Sequence, residues 1–257
     1  MRAAISKAEI QADIATRFGD AFRVQGKTVV ETLSSGIAAV DLLTGGGLPR
    51  GSISEIFGPA SSGRTSFMLS MLAYATTHDE VCALVDTDDV FTPTVAAAAG
   101  IDLDRLLWIR CNANLEHAFK ATDLLLHAGG FGLVILDLGD VPGKDARRVI
   151  SSWWYRFRRT VENRPTALMV MSEEACTRSC ASLTLEMNGA GEWQRTDHLK
   201  DINSQRGNAW SLFEVTSKTE EKVAHANLLQ VNSVKINRRR PLIPGLNECD
   251  FRVRAVI

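Results

Sequence analysis

Several features that would place a chain outside the ordinary folded, water-exposed class are missing here. The five cysteines, Cys82, Cys111, Cys176, Cys180 and Cys249, are odd in number, scattered and without a Cys-x-x-Cys pair, which argues against a disulfide framework and against the ligand spacing of a zinc site. No window approaches the roughly 18 apolar residues of a membrane span, and the first residues carry no uninterrupted apolar core of the signal-peptide kind. Reduced thiols, no membrane association and a cytoplasmic location are the expectation. Charge of one sign is lacking too: 29 Lys+Arg against 30 Asp+Glu leave a formal charge of −1, so any contact with nucleic acid must come from a local patch. Internal repeats and low-complexity tracts are absent. What remains, 257 residues of which 45% are hydrophobic and 23% charged, suffices to bury a full core as one large domain or one domain with small appendages.

The chain is organised around Gly58-Pro59-Ala60-Ser61-Ser62-Gly63-Arg64-Thr65-Ser66. An apolar run, Ile53 to Phe57, leads into it, and Phe67-Met68-Leu69 through Met71-Leu72-Ala73 leads out with helical spacing, which is the strand–loop–helix context of a phosphate loop. Gly58 and Gly63 let the backbone wrap a polyphosphate, successive N–H groups form a nest, and the following helix adds the positive end of its dipole. Ser61, Ser62 and Ser66 complete the candidate cradle, and the Thr65 hydroxyl stands where it would hold Mg²⁺. Arg64 occupies the position usually held by Lys, and a planar guanidinium cannot replace a compact ammonium without a change of geometry. Nucleotide binding is therefore expected more firmly than hydrolysis; the plain alternative is a Gly/Ser turn.

Taken in order, Ile5 to Phe18 places Ile10, Ile14 and Phe18 on one helical face. A helix so close to the terminus either caps its own domain or docks on another subunit. Phe22 to Thr32 alternates like a short extended segment, and residues 1–32 form an N-terminal helix and linker ahead of a core over 33–257. Ser35 to Leu43 reads as a capped helical turn before the glycine-rich loop Gly45 to Gly51. Val81 to Asp86 is a buried strand whose end carries Asp86, Asp88 and Asp89, any of which could polarise a water or simply form a solvated acidic loop or a helix N-cap. A short helix at Val95–Ala99, a strand at Leu106–Arg110 and a helix at Leu115–His127 follow. Leu133 to Asp137 is a wholly apolar strand ending in one carboxylate, and Asp137 would hold the water shell of Mg²⁺ opposite Thr65. A basic, aromatic helix is expected over 144–163: Ile150, Trp153 or Trp154, Phe157 and Val161 face the sheet, while Arg147, Arg148, Arg158 and Arg159 either meet a phosphate backbone or form a solvated face. Ala167 to Met171 is another buried strand. The alternation predicts an α/β fold with a mostly parallel central sheet flanked by helices. Ser182–Met187, Leu212–Thr216 and Leu228–Ile236 are expected as antiparallel strands at its edge.

The order of residues resembles the RecA-like recombinase ATPases from about Glu9 to Pro241. The most specific stretch is Leu33-Ser34-Ser35-Gly36-Ile37-Ala38-Ala39-Val40-Asp41, then Gly46-Gly47-Leu48-Pro49-Arg50-Gly51, then Glu55-Ile56-Phe57-Gly58 through Thr65. The resemblance implies a RecA-like phosphate-loop core, ATP or ADP with Mg²⁺ as cofactor, and an N-terminal helix that docks through Ile14 and Phe18 on the next subunit. It also places the family's catalytic glutamate on Asp88 and the polar sensor on Ser172-Glu173. Lysines that reach a nucleotide on the adjacent subunit fall on Lys235 and Asn237, and no C-terminal domain is expected after Ile257.

The departures fall on working parts: Arg64 for Lys, Asp88 for Glu, Leu138 for a small polar residue, and Glu173 for an amide. Shortening Glu to Asp withdraws the carboxylate by on the order of 1 Å, which can cost about 10²-fold in rate. Both DNA-binding loops of the family look cut, since Asp137 is soon followed by the helix near Lys144 and only Glu174 to Cys180 separates Glu173 from the next strand. The expectation is at most a weak ATPase without strand exchange. Such a chain is similar to the ImuA-like accessory proteins of bacterial damage-induced mutagenesis. That likeness implies a DNA-damage-response (SOS) adaptor that binds a recombinase, a copy of itself or an error-prone polymerase subunit. The alternative is an active DNA-dependent ATPase of recombinational repair.

Overall fold

Runs of aliphatic residues buried on both faces set the architecture. In the computed structural model, which describes residues 31–139, 141, 151–194, 228–242 and 246–254 together with Thr16, every residue of Cys82–Asp86, Leu133–Asp137 and Ala167–Ser172 is buried. Side chains that are apolar on both sides of a strand require a layer on each face. The elements are β1 (Thr32–Leu33), α1 (Ala38–Thr44), β2 (Leu48–Pro49), β3 (Ser52–Phe57), α2 (Arg64–Thr77), β4 (Cys82–Asp86) and α3 (Pro93–Ala98). They continue with β5 (Leu106–Arg110), α4 (Leu115–Ala128), β6 (Leu133–Asp137), α5 (Ser151–Val161), β7 (Ala167–Ser172), β8 (Ala181–Gln194), β9 (Leu228–Arg240) and β10 (Glu248–Arg254). The chain divides into two compact units, Met1–Val30 and Glu31–Ile257, and the second holds all of these elements.

The main sheet has eight strands in the order β10-β9-β8-β3-β7-β6-β4-β5. From β5 to β8 all neighbours are parallel, and β8–β9 and β9–β10 are antiparallel. The register pairs Phe57 with Ser172, Asp137 with Met171 and Asp86 with Asp137. Four carboxyl ends therefore lie in line, at the edge of an open α/β sheet where ligands gather. Along β3 the side chains alternate. Ile56 joins a cluster with Val40 and Leu43 of α1, Phe67, Met71 and Leu72 of α2 and Ala96 of α3. Ile53 joins the opposite cluster with Phe119 and Leu126 of α4 and Trp154, Phe157 and Val161 of α5. Phe119 is the keystone there, with its ring centroid 5.1 Å from Trp154 and 5.7 Å from Phe157.

The stretch before the phosphate loop folds around Asp41. Its carboxylate accepts hydrogen bonds from Ser34 Oγ (2.5 Å), Ser35 N (2.8 Å) and Ser35 Oγ (2.6 Å), which ties the entry of α1 to its own first turn, and Gly45 at φ 80 ends the helix.

Three expectations need correction. The strand after β7 is not an antiparallel addition: β8 runs parallel to β3, with Ala181 beside Ile53, and the chain reverses only at β9. The physical reason is the crossover from Ser172 to Ala181. Its residues suffice to carry the chain back along a strand that rises about 3.3 Å per residue, so no helix is needed. The strand is also longer than 182–187, and β10 was not foreseen. The short helix begins at Pro93 rather than Val95, because proline suits the first helical turn. The strand expected at Leu212–Thr216, the N-terminal helix and the start of the basic helix before Ser151 lie outside the described residues. Among the described residues no helix is long and apolar enough to cross a membrane.

Candidate nucleotide-binding site

The loop between β3 and α2 is shaped by three glycines. Gly63 holds φ 95 and Ser61 φ 62, left-handed conformations that turn successive amides to one side. A Cβ on Gly58 would lie 2.2 Å from Met187 O, and one on Gly189 would lie 2.3 Å from Ser61 O. The loop thus lies backbone to backbone against β8. Gly63 is equally confined, since its Cβ would meet Val234 Cγ2 at 2.5 Å. Ser62 N donates to Pro59 O (3.1 Å) and Gly58 N to Ser172 O (3.3 Å), tying the loop to itself and to β7. No side chain among the described residues caps the amino terminus of α2, so its first N–H groups face the loop with the positive end of the helix dipole. Ser62 is buried and its Oγ has no hydrogen-bond partner among the described residues, whereas Thr65 is exposed. An orphaned hydroxyl inside a cradle of backbone amides fits an anion such as a phosphate.

Arg64, the first residue of α2, is buried, and its Nη1 donates to Gly139 O at 3.2 Å. Gly139 N in turn donates to Asp137 Oδ1 at 2.8 Å. One residue after β6 therefore holds both the loop's cation and the strand's carboxylate. Burial pushes the Asp137 carboxyl up to about 6; the charges of Asp86 and Asp88 add to the rise, while the Gly139 N–H and Arg64 oppose it. A carboxylate strained in this way gains from a divalent cation, and the hard oxygens of Thr65, Asp88 and Asp137 suit Mg²⁺. No group of three or more His, Cys, Asp or Glu converges among the described residues. Mg²⁺, which retains water and uses few protein ligands, fits that arrangement better than a cation needing a full protein cage.

Among the three acids after β4, geometry separates the roles. Asp86 is buried and accepts from Phe91 N (2.9 Å), Val90 N (3.3 Å) and Trp108 Nε1 (3.2 Å). Asp89 accepts from Cys111 N (3.1 Å) and pairs with Arg110 (3.3 Å). Both hold loops. Asp88 instead points its Oδ2 toward Gly139, 3.2 Å from where a Cβ there would sit, so it is the acid beside Asp137. At the next strand end Glu173 is exposed, and Ser172 Oγ donates to Glu174 O (2.9 Å).

The crossover after Ser172 is fastened from below. Glu55 of β3, buried, accepts from Cys176 N (2.6 Å) and Thr177 N (2.7 Å) through a single oxygen. Arg238 is buried and donates to the carbonyls of Leu43 and Leu246. Lys235 pairs with Glu248 at 2.9 Å, Arg239 with Glu186, and Arg240 Nη1 donates to Arg178 O at 2.8 Å, so this basic run is engaged within its own chain. Arg158 and Arg159 are exposed on α5. Arg147, Arg148, Ile10, Ile14 and Phe18 lie outside the described residues. Gly139 and Gly189 are site-building residues not singled out from sequence, and Glu55 figures there only within the family-like stretch, without a role. Glycines inside the strand-like Asn188-Gly189-Ala190-Gly191 and a lone acid inside an apolar strand were the available signals.

A parallel sheet with a strand–loop–helix phosphate cradle and a carboxylate ending the second strand over is the RecA-like phosphate-loop core. The chain belongs to the RecA N-terminal domain family, which matches residues 4–142. It is similar to Protein RecA of Nostoc punctiforme, 40% identical over 121 residues that make up 47% of this chain and 32% of the relative. Protein RecA of Trichodesmium erythraeum is 39% identical over the same length and shares. The chain thus spans 32% of these curated relatives' length. The solved structure of the RadB recombinase superposes with a TM-score of 0.59 at 15% identity, covering 86% of this chain and 96% of that one; the likeness shows the fold.

Proposed function

We propose that this chain is a nucleotide-responsive adaptor of the DNA-damage response: it binds ATP or ADP with Mg²⁺ weakly, hydrolyses it slowly or not at all, and works by docking on a partner. The observation that carries the reading is Arg64 turned onto the Gly139 carbonyl beside an otherwise complete cradle. The amides of Gly58 to Ser66 would hold the β-phosphate, and Ser62 Oγ would gain the partner it lacks. Thr65 and Asp137 would hold the cation, directly and through water, and Mg²⁺ when bound would draw charge from the phosphate oxygens. Arg64 must leave Gly139 O to reach a terminal phosphate, and that lost bond subtracts from affinity, on the order of 1 kcal/mol. Asp88 stands near the cation but is a methylene shorter than the family's glutamate, which favours slow turnover.

Docking is assigned to Ile10, Ile14 and Phe18, with a RecA-type recombinase, a second copy or an error-prone polymerase subunit as partner. The reading draws on family membership and on the short crossover that stands where the family has a long DNA loop. Titration calorimetry with ADP and a non-hydrolysable ATP analogue, alongside turnover with and without single-stranded DNA, tests it. Expected are micromolar to millimolar binding, tightening in Arg64→Lys, and no DNA-stimulated turnover in either form. Absence of binding by folded protein would leave the cradle vestigial; turnover raised many-fold by DNA would favour an active recombinational ATPase.

A further inference from the structure

The surface of α5 is set apart from a chain whose overall charge is −1. Between Ser151 and Val161 it carries Arg156, Arg158 and Arg159 and no acid. With Phe157 facing the core, successive residues about 100° apart place Arg156 on one flank, Arg158 on the other and Arg159 with Tyr155 outermost. Tyr155 is 57% exposed, between the guanidinium groups. On the α4 flank a cleft of about 470 Å³ is lined by His127, Arg156, Arg159, Thr160, Glu162 and Arg164. On the opposite flank Arg158 and Arg178 both lie close enough to Cys180 to draw its thiol down against the rise caused by burial, and Arg240 reaches the Arg178 carbonyl at 2.8 Å. The basic groups thus form a band across α5 from His127 to Arg240.

Some of these cations serve the fold. Arg156 pairs with Asp123 at 2.6 Å, and Arg164 Nη1 donates to Leu126 O at 2.7 Å, closing the carboxyl end of α4. His127 Nδ1 lies 2.8 Å from Asp123 O. Arg158 and Arg159 sit in the last turn of α5, where a cation complements the helix dipole, yet neither has a hydrogen-bond or ion-pair partner among the described residues. Dipole complementation needs neither Tyr155 in the open nor cations on both flanks. Glu162 is the one acid lining the cleft among the described residues.

We infer that the outer face of α5 binds single-stranded nucleic acid, with Arg158, Arg159 and the cleft beside them contacting successive phosphates and Tyr155 stacking on a base. A row of planar cations selects a polyanion, and an exposed ring among them favours one with flat bases over an acidic polypeptide. The face lies on the α4–α5 side of the sheet and uses none of the phosphate-loop residues, so the inference stands apart from nucleotide binding.

The test is fluorescence anisotropy of a labelled oligothymidylate of about 20 nucleotides, without nucleotide, across a salt series. Expected is binding whose log K falls linearly with log salt, and Arg158→Ala/Arg159→Ala lowers that slope by about 1.4, from roughly 0.7 per phosphate contact. Tyr155→Ala weakens binding roughly tenfold at every salt with the slope unchanged. Arg105→Ala, which removes a half-exposed cation paired with Asp79 and Asp102 rather than one of this band, leaves both unaltered. These surface changes leave the melting temperature in place, which confirms folded protein. An unchanged slope in the double variant, or no binding by the wild type at the lowest salt, overturns the inference. So does polyglutamate displacing the oligonucleotide at equal charge concentration, which would assign the face to an acidic polypeptide.

Discussion

Glu55→Ala probes how this chain holds a crossover that contains no helix. A helix would satisfy its own amides, whereas here the N–H groups of Cys176 and Thr177 are buried and both donate to one oxygen of Glu55. Removing that acceptor strands two donors at about 1–3 kcal/mol each, so a loss on the order of 3–5 kcal/mol is expected. That is a large part of the roughly 5–15 kcal/mol of a typical domain. Glu55→Gln keeps an acceptor oxygen in place and should lose about 1–2 kcal/mol. Urea denaturation gives the global figure, and a thiol reagent gives the local one. Cys176 is buried and its thiol is pushed up to about 12, chiefly by burial and then by the charge of Glu55, so the folded wild type reacts slowly. If the crossover opens about 3 kcal/mol more readily, labelling at Cys176 accelerates more than 100-fold. A loss under about 1 kcal/mol with unchanged labelling would refute the reasoning, because packing of Cys176 and Cys180 in the core would then be what holds the segment.

Two further outcomes can be measured directly. Because Asp137 keeps its proton up to about 6 in the folded chain against an ordinary 3.8, the native state binds more protons between those values and stability falls as pH rises through them. Asp137→Asn, which can still accept from Gly139 N, should therefore gain up to about 3 kcal/mol at pH ~8 and nothing at pH ~4 in urea titrations. Ile14→Ala with Phe18→Ala should remove several kcal/mol of apolar contact, on the order of 4, and abolish a micromolar complex in light scattering or in a pull-down against a recombinase. An unchanged profile from folded protein would place the partner surface elsewhere.

Much of this was legible because local chemistry and global fold agree. The aliphatic runs at Leu133–Asp137 and Ala167–Ser172 could only be strands buried on both faces, and the glycine spacing of Gly58 and Gly63 carried the cradle with it. What sequence could not give was direction and partnership. The direction of β8 depends on the path of 173–180, which polar composition does not reveal. Asp86, Asp88 and Asp89 are chemically alike, so only the tertiary amides of Phe91 and Cys111 show that Asp86 and Asp89 hold loops. Gly189 is far from the loop in sequence, and its closeness to Ser61 follows from strand order alone.

Arg64 and Glu55 each fasten a segment beside the cradle to a neighbouring element. The guanidinium bonds to Gly139 O, and the segment beyond β7 is clamped to the phosphate strand itself through Glu55. Both bonds are anchored to the elements that carry the cradle. Loss of one should leave the other intact, since they lie at different strand ends and share no residue. Arg64→Lys with Glu55→Gln should therefore combine additively in stability, and departure from additivity by more than about 0.5 kcal/mol would show that the phosphate loop and the crossover are coupled in this chain.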